Sequence, residues 1–138
     1  MRSAAVLALG LVALAGLGAC SQGTRAGGGR DSVEITIHHS AFLPSVIEVE
    51  PGAARTFVVR NDDPIAHELI IGNEAVQLRH ENGTERAHGA VPGEISIPAN
   101  ATRSTTYIFP KEGTLLFGCH LPAHYDYGMK GRVLIMEG

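Results

Sequence analysis

The sequence predicts an all-β domain, read as a Greek-key β-sandwich of about eight short strands. Three observations point there. Apolar and polar residues alternate with period two in run after run, and Gly- and Pro-rich turn signals separate the runs. Beyond residue 20, no stretch holds a helical period convincingly for more than two turns. The composition agrees: Val, Ile, Thr and Gly are abundant, Trp is absent and aromatics are 5%, which suits a modest core. A length of 138 residues argues for one folded domain.

In chain order, Val33, Ile35 and Ile37 alternate with Glu34, Thr36 and His38, the pattern of a strand with one buried face. Val46 to Val49 forms a second strand and stops at the turn signal Pro51-Gly52. Thr56 to Arg60 follows, then the polar stretch Asn61-Asp62-Asp63-Pro64, then the apolar strand from His67 to Ile71. The one helical exception is Glu74 to Glu81, where Ala75, Leu78 and Arg79 fit a single short helix. After a long polar segment come strands at Gly93 to Ile97, Thr102 to Phe109, Leu115 to Cys119 and Arg132 to Met136. Turns at Pro98-Ala99-Asn100 and Lys111-Glu112-Gly113 separate the later ones. Strands at this spacing suit a sandwich or a barrel, and the sandwich is the reading taken.

The N-terminus reads as an address. Arg2 gives a short positive start and residues 3–18 are almost wholly apolar and small, as in a secretory signal peptide. The segment is close to the lower limit of about 17 residues for a membrane span and is rich in Gly, which disfavours a transmembrane anchor. It ends in Leu17-Gly18-Ala19-Cys20, which resembles the bacterial lipobox and implies cleavage before Cys20 and acylation of that residue. The expected organisation is a lipoprotein signal peptide at 1–19, a lipidated Cys20 with a flexible linker through 31, and a folded domain at 32–138. Loss of Arg2 with the leader moves the formal charge from -3 to -4. With no Lys/Arg-rich run either, nucleic acid is excluded as a partner.

Cys20 and Cys119 are the two cysteines, and a disulfide between them would be the default in a small exported domain. Each has a better local explanation. Cys119 opens the stretch Cys119-His120-Leu121-Pro122-Ala123-His124-Tyr125-Asp126-Tyr127-Gly128-Met129, a Cys-x4-His-x4-Met pattern that directly follows a strand. One loop of this length can fold a thiolate, an imidazole and a thioether around a single ion. Soft sulfur donors with imidazole favour copper, whereas zinc is poorly matched to Met. Such a set lacks one imidazole, and His67, at the start of its strand after a polar loop, is the best candidate to supply it. Taken singly, His67 would be a structural histidine, Cys119 a small buried hydrophobe and Met129 core packing. The combination is what argues for a site.

Here the chain resembles the cupredoxins, the blue-copper proteins related to plastocyanin, azurin and rusticyanin, from roughly Val33 to the C-terminus. The loop is closest in length to rusticyanin-like members. The resemblance implies a cupredoxin-like fold with one mononuclear type 1 copper held by His67, Cys119, His124 and Met129. Gly128-Met129-Lys130-Gly131 also looks like the family's return into the last strand. One departure concerns Glu68: the family often places a small polar residue after the upstream histidine, to tie the ligand loops together. A carboxylate turned inward there would favour Cu(II).

The expected function is single-electron transfer outside the cytoplasm by a monomer anchored to a bacterial membrane and facing the periplasm or exterior. Redox partners are expected to dock on Leu121, Pro122 and Ala123, with electrons passing through His124, the more superficial imidazole. The alternative is a copper chaperone, store or resistance protein using the same four ligands. An enzyme is not expected. Cys119 and His124 lack an orienting Asn or Asp and an oxyanion-hole loop. A multicopper oxidase or copper nitrite reductase would need His-x-His motifs and more domains, and a dinuclear copper site would need a second loop cysteine. His38 and His39 end the first strand, and the His120 side chain is expected to point away from the site. His80 and His88 flank the longest polar connection, either a solvated insertion or a second metal or docking element.

Overall fold

The computed structural model describes residues 31–85 and 87–136; the expected leader, Cys20 and nearly all of the linker lie outside the described residues. Nine strands and one helix are formed among those described. They are β1 (Ser32–His38), β2 (Ala41–Leu43), β3 (Val46–Val49), β4 (Ala54–Asn61), β5 (His67–Gly72), α1 (Glu74–Glu81), β6 (Glu94–Ile97), β7 (Thr102–Ile108), β8 (Leu115–Gly118) and β9 (Lys130–Ile135). One sheet has the order β2-β1-β4-β7 and the other β3-β9-β8-β5-β6. The all-β sandwich expected from period-two alternation is what forms, with one strand more than expected. That strand, β2, is only three residues long and follows two left-handed residues, His39 and Ser40. Too short to show alternation, it still pairs Phe42 with Ile37 and brings Phe42 into the core.

The core lies between the sheets. Ile35, Ile37, Phe57 and Val59 project from β1 and β4, and meet Leu69, Ile71, Ile95, Ile97, Phe117 and Val133 from the second sheet. Each is at most 7% exposed, so each contributes on the order of 1.5–3 kcal/mol by leaving water. Phe117 meets Phe42 edge-on at 5.3 Å between ring centroids, bridging the two sheets. The outer strand β7 is polar and mostly exposed, as befits a sheet edge beside solvent.

β5 is buried along its whole length. Its inner face meets the core and its outer face lies beneath α1, which accounts for the unbroken apolar run Leu69-Ile70-Ile71. The helix has the bounds expected from the sequence. Asn73 caps it by accepting the Val76 peptide N–H at 3.1 Å. Its buried face is polar: Leu78 is 63% exposed, while Gln77 and His80 turn inward. Gln77 Nε2 donates to the Ile70 and Leu116 carbonyls at 3.1 and 3.3 Å, so the helix docks on strand backbone rather than apolar side chains. No helix among the described residues is long and apolar enough to cross a membrane.

Gly131 sits opposite Phe117 where β8 and β9 pair. A Cβ there would overlap the Phe117 ring and come within 2.6 Å of the Ser45 carbonyl oxygen. Gly131→Ala is therefore expected to destabilise the fold by about 1–3 kcal/mol, read as a lower urea midpoint at unchanged slope.

Candidate metal centre

At one end of the sandwich the starts and ends of several strands converge. His67 opens β5 and is fully buried. Cys119 follows β8 directly and is also fully buried. Between Cys119 and β9 runs a ten-residue excursion that carries His124 and ends at the buried Met129. The donor atoms of His67, Cys119 and His124 lie within 4.8 Å of one another. Cys119 Sγ is 3.3 Å from His124 Nδ1, and the two imidazole centroids are 5.1 Å apart.

The loop is held by its own backbone. The His124 N–H donates to the Leu121 carbonyl at 2.9 Å, and the Met129 N–H to the His124 carbonyl at 3.0 Å. The Cys119 N–H closes the loop on the Met129 carbonyl at 3.1 Å. Two left-handed residues make these turns, Ala123 at φ +70° just before His124 and Gly128 at φ +99° just before Met129. Tyr125 packs over Gly118 and stacks on His120 with centroids 4.5 Å apart, pinning the loop to β8.

Burial and hydrogen bonding act on two of the donors, His67 and Cys119. Burial pushes the Asp63 carboxyl upward, but the peptide N–H groups of Ser40 and His39, with the His67 ring, outweigh it and hold it below its ordinary value. Those two N–H groups donate to the carboxylate at 2.7 Å each. An ionised Asp63 only accepts, so His67 Nε2, 2.9 Å from Oδ2, carries the ring proton. His67 Nδ1 is then an unprotonated lone pair. It is buried and has no hydrogen-bond partner. Desolvation, the largest influence, together with His124 holds His67 below the ordinary histidine value despite the opposing pull of Asp63, so the ring is neutral at neutral pH.

Cys119 Sγ accepts peptide N–H groups from Leu121 and, at 3.3 Å, from Glu68. Burial nevertheless dominates and pushes the thiol up to about 11, with the Glu68 and Glu81 carboxylates adding to the rise. A buried orphaned imidazole nitrogen beside a buried sulfur and a second imidazole is a donor set that suits copper.

The four candidate ligands named from the sequence thus lie at one end of the fold, with His67, Cys119 and His124 donor to donor and Met129 buried at the loop's end. His124 is partly exposed beside the exposed Pro122 and Ala123, whereas His67 is fully buried. Sequence reasoning missed Asp63, because Asn61-Asp62-Asp63-Pro64 reads simply as a polar turn. The Glu68 carboxylate does not turn inward: Oε1 lies 3.6 Å from His88, while the Glu68 peptide N–H faces the sulfur. His120 points away from the site, to Glu81 at 2.7 Å and Gln77 at 2.8 Å.

Comparisons with known proteins agree with this chemistry. A family model for copper binding proteins of the plastocyanin/azurin family matches residues 30–136. The chain is 31% identical over 97 residues to the copper-resistant cuproprotein CopI of Rubrivivax gelatinosus, covering 68% of this chain and 59% of that one. It is 23% identical over 136 residues to the protein of the same name from Pseudomonas aeruginosa, covering 75% of each. Among solved structures it resembles the dithionite-reduced auracyanin of Roseiflexus castenholzii, with a TM-score of 0.65 at 24% identity over 80% of this chain and 100% of that one. Auracyanin A of Chloroflexus aurantiacus, a "blue" copper protein, gives 0.60 at 25% identity over 78% of this chain and 100% of that one.

Because the thiol is protonated until a metal replaces its hydrogen, copper binding should release one proton from Cys119. Above the ordinary histidine value of about 6.5 and up to about 11, apparent copper affinity is expected to rise about tenfold per pH unit. Competitive titration against a chelator of known pH dependence measures the slope. A Cys119→Ser protein should lose most of it.

Proposed function

The chain belongs to the plastocyanin/azurin family of copper-binding proteins, and from that premise we propose that it is a type 1 copper protein exchanging single electrons outside the cytoplasm. The observation that carries the proposal is the orphaned, buried Nδ1 of His67, held beside Cys119 Sγ and His124 Nδ1. In this reading His67 and His124 bind through Nδ1, Cys119 through its thiolate, and Met129 as a weak thioether ligand to one copper. Copper supplies a one-electron couple.

The protein contributes rigidity. Asp63 fixes the His67 ring and its tautomer, and the Glu68 and Leu121 peptide N–H groups fix the sulfur and temper its charge. The loop hydrogen bonds keep the His124 and Met129 backbones in register with Cys119. Donors set in this way move little when the charge they surround changes, which lowers the barrier to electron exchange. His124 is the route to the surface, since Pro122 and Ala123 beside it are exposed and offer a small apolar contact to a partner.

A second reading is favoured by one observation: two relatives are named copper-resistant cuproproteins. A protein that handles copper would use the same donors but yield the metal. Repeated oxidation and reduction in the presence of a copper acceptor separates the two. An electron carrier retains its copper through many cycles, and a copper-handling protein transfers it.

Localisation belongs to the same proposal. The lipobox-like Leu17-Gly18-Ala19-Cys20 would tether the chain by acyl groups, each buried methylene contributing about 0.8 kcal/mol. Cys20→Ser is expected to move the protein from the membrane fraction to the soluble one, and undiminished membrane association would refute acylation as the anchor.

For the site itself, the copper(II) protein should show intense thiolate-to-copper absorption and the small copper hyperfine splitting of a type 1 centre by electron paramagnetic resonance. An ordinary tetragonal spectrum would sink the assignment. Cys119→Ser should remove the colour while the far-ultraviolet circular dichroism is retained. Met129→Leu should keep the colour and raise the reduction potential.

A further inference from the structure

On the outer side of β5, beneath the C-terminal turn of α1, a second cluster of ligating side chains surrounds a cavity of about 280 Å³. His80, Glu85 and His88 line it, and with the adjoining Glu94 they offer four donor atoms, all within 4.8 Å of one another. We propose that this cluster is a second, sulfur-free metal site that takes one divalent ion of the zinc class.

The distances are those of ligands around an ion rather than of hydrogen bonds. Glu94 Oε2 lies 3.3 Å from His80 Nε2 and 3.4 Å from His88 Nδ1, and His88 Nδ1 lies 3.4 Å from Glu85 Oε2. All exceed the usual N–H···O spacing of about 2.9–3.0 Å. Donors placed about 2.0–2.1 Å from a tetrahedral ion stand about 3.3–3.4 Å from each other, the spacing seen here.

The far nitrogens are oriented as metal-binding imidazoles require. His80 Nδ1 lies 2.9 Å from the Val76 carbonyl, which only accepts, so Nδ1 donates there and Nε2 is the nitrogen left facing Glu94. His88 Nε2 faces the Glu68 carboxylate at 3.6 Å, leaving Nδ1 for the ion. The His88 backbone is anchored on β6, its N–H donating to Ser96 Oγ at 2.8 Å. Glu94 is oriented through its other oxygen by Arg79 at 3.1 Å.

Charge points the same way. Glu68 and Glu94 are 3% and 6% exposed, and with Glu85 they put three carboxylates beside the two imidazoles against the single guanidinium of Arg79. Burying unbalanced carboxylates is costly, and a divalent cation balances the remainder. Two imidazoles and two carboxylates with no sulfur select a borderline divalent ion over cuprous copper. None of the four donors belongs to the sulfur-containing centre, so the proposal does not rest on that centre's function.

The test uses the full chain with Cys119→Ser, which removes the sulfur donor, and the wild type loaded with one equivalent of cuprous copper, which fills the sulfur-containing centre and is disfavoured at the sulfur-free one. Calorimetric titration with Zn2+ should show one ion bound per chain in each. Glu94→Gln and His88→Asn should weaken that binding at least about tenfold. Glu85→Gln, at an exposed position that leaves the core intact, should weaken it severalfold without changing the copper absorption. Zn2+ bound equally well by the Glu94→Gln and Glu85→Gln chains, or no Zn2+ bound by the copper-loaded wild type, would overturn the site. Copper absorption retained in Glu94→Gln shows that a loss of Zn2+ is not a loss of fold.

Discussion

The buried carboxylate of Asp63 is the constraint from which the geometry of the first centre follows. At 5% exposure it must be hydrogen-bonded, and its donors come from two places distant in the chain. The His39 and Ser40 peptides approach from the turn after β1, and the His67 ring approaches from the start of β5. Their left-handed conformations, φ +52° and +54°, turn both peptide groups toward one carboxylate. The loop bearing Asp63 is fixed in turn by Asn61, whose side-chain oxygen accepts the Asp63 N–H at 3.0 Å and whose amide donates to the Ile65 and Pro98 carbonyls. One tautomer of His67 satisfies this network, and it leaves Nδ1 as the donor facing the sulfur.

The parts of this architecture that repeat were legible in the sequence. Period-two alternation marks β1, and the apolar run marks β5 as a strand. The Cys-x4-His-x4-Met loop could be read because its three donors lie on one short connection. His67 required the further argument that the set lacked an imidazole. What escaped reading depends on contacts between distant residues. Asp63 lies in a stretch whose composition says turn, and nothing local reveals that its carboxylate is buried. The strand β2 exists because Phe42 fills space against Phe117, a partner 75 positions away that no local pattern exposes.

The helix shows a subtler limit. Its bounds follow from the Asn73 cap and the polar residues beyond, yet its inward face could not be chosen by apolarity. Leu78, the largest apolar residue of the helix, is exposed because α1 lies over strand carbonyls and carboxylates, which Gln77 and His80 satisfy and leucine cannot. Glu94 escaped for a related reason. In a four-residue strand, a lone glutamate reads as a solvent-facing position, but Arg79 and His80 of α1 and the ring of His88 meet it there.

The two clusters are separated by the pleat of the second sheet. Successive side chains of a strand point to opposite faces, so His67 turns to the sulfur-bearing end while Glu68 turns to the cavity under α1. The same alternation at the end of β8 sends Cys119 inward and His120 outward, against Gln77 and Glu81. Neighbouring residues in the chain therefore serve different environments, and the Glu68 peptide N–H links them by donating to Cys119 Sγ while its carboxylate faces His88. A one-residue slip of β5 would exchange the two sets, placing a carboxylate beside the thiol and an imidazole among the acids. The pairing of His67 with Ile97 and of Ile70 with Gly118 prevents that slip, because each neighbouring strand fixes the register independently.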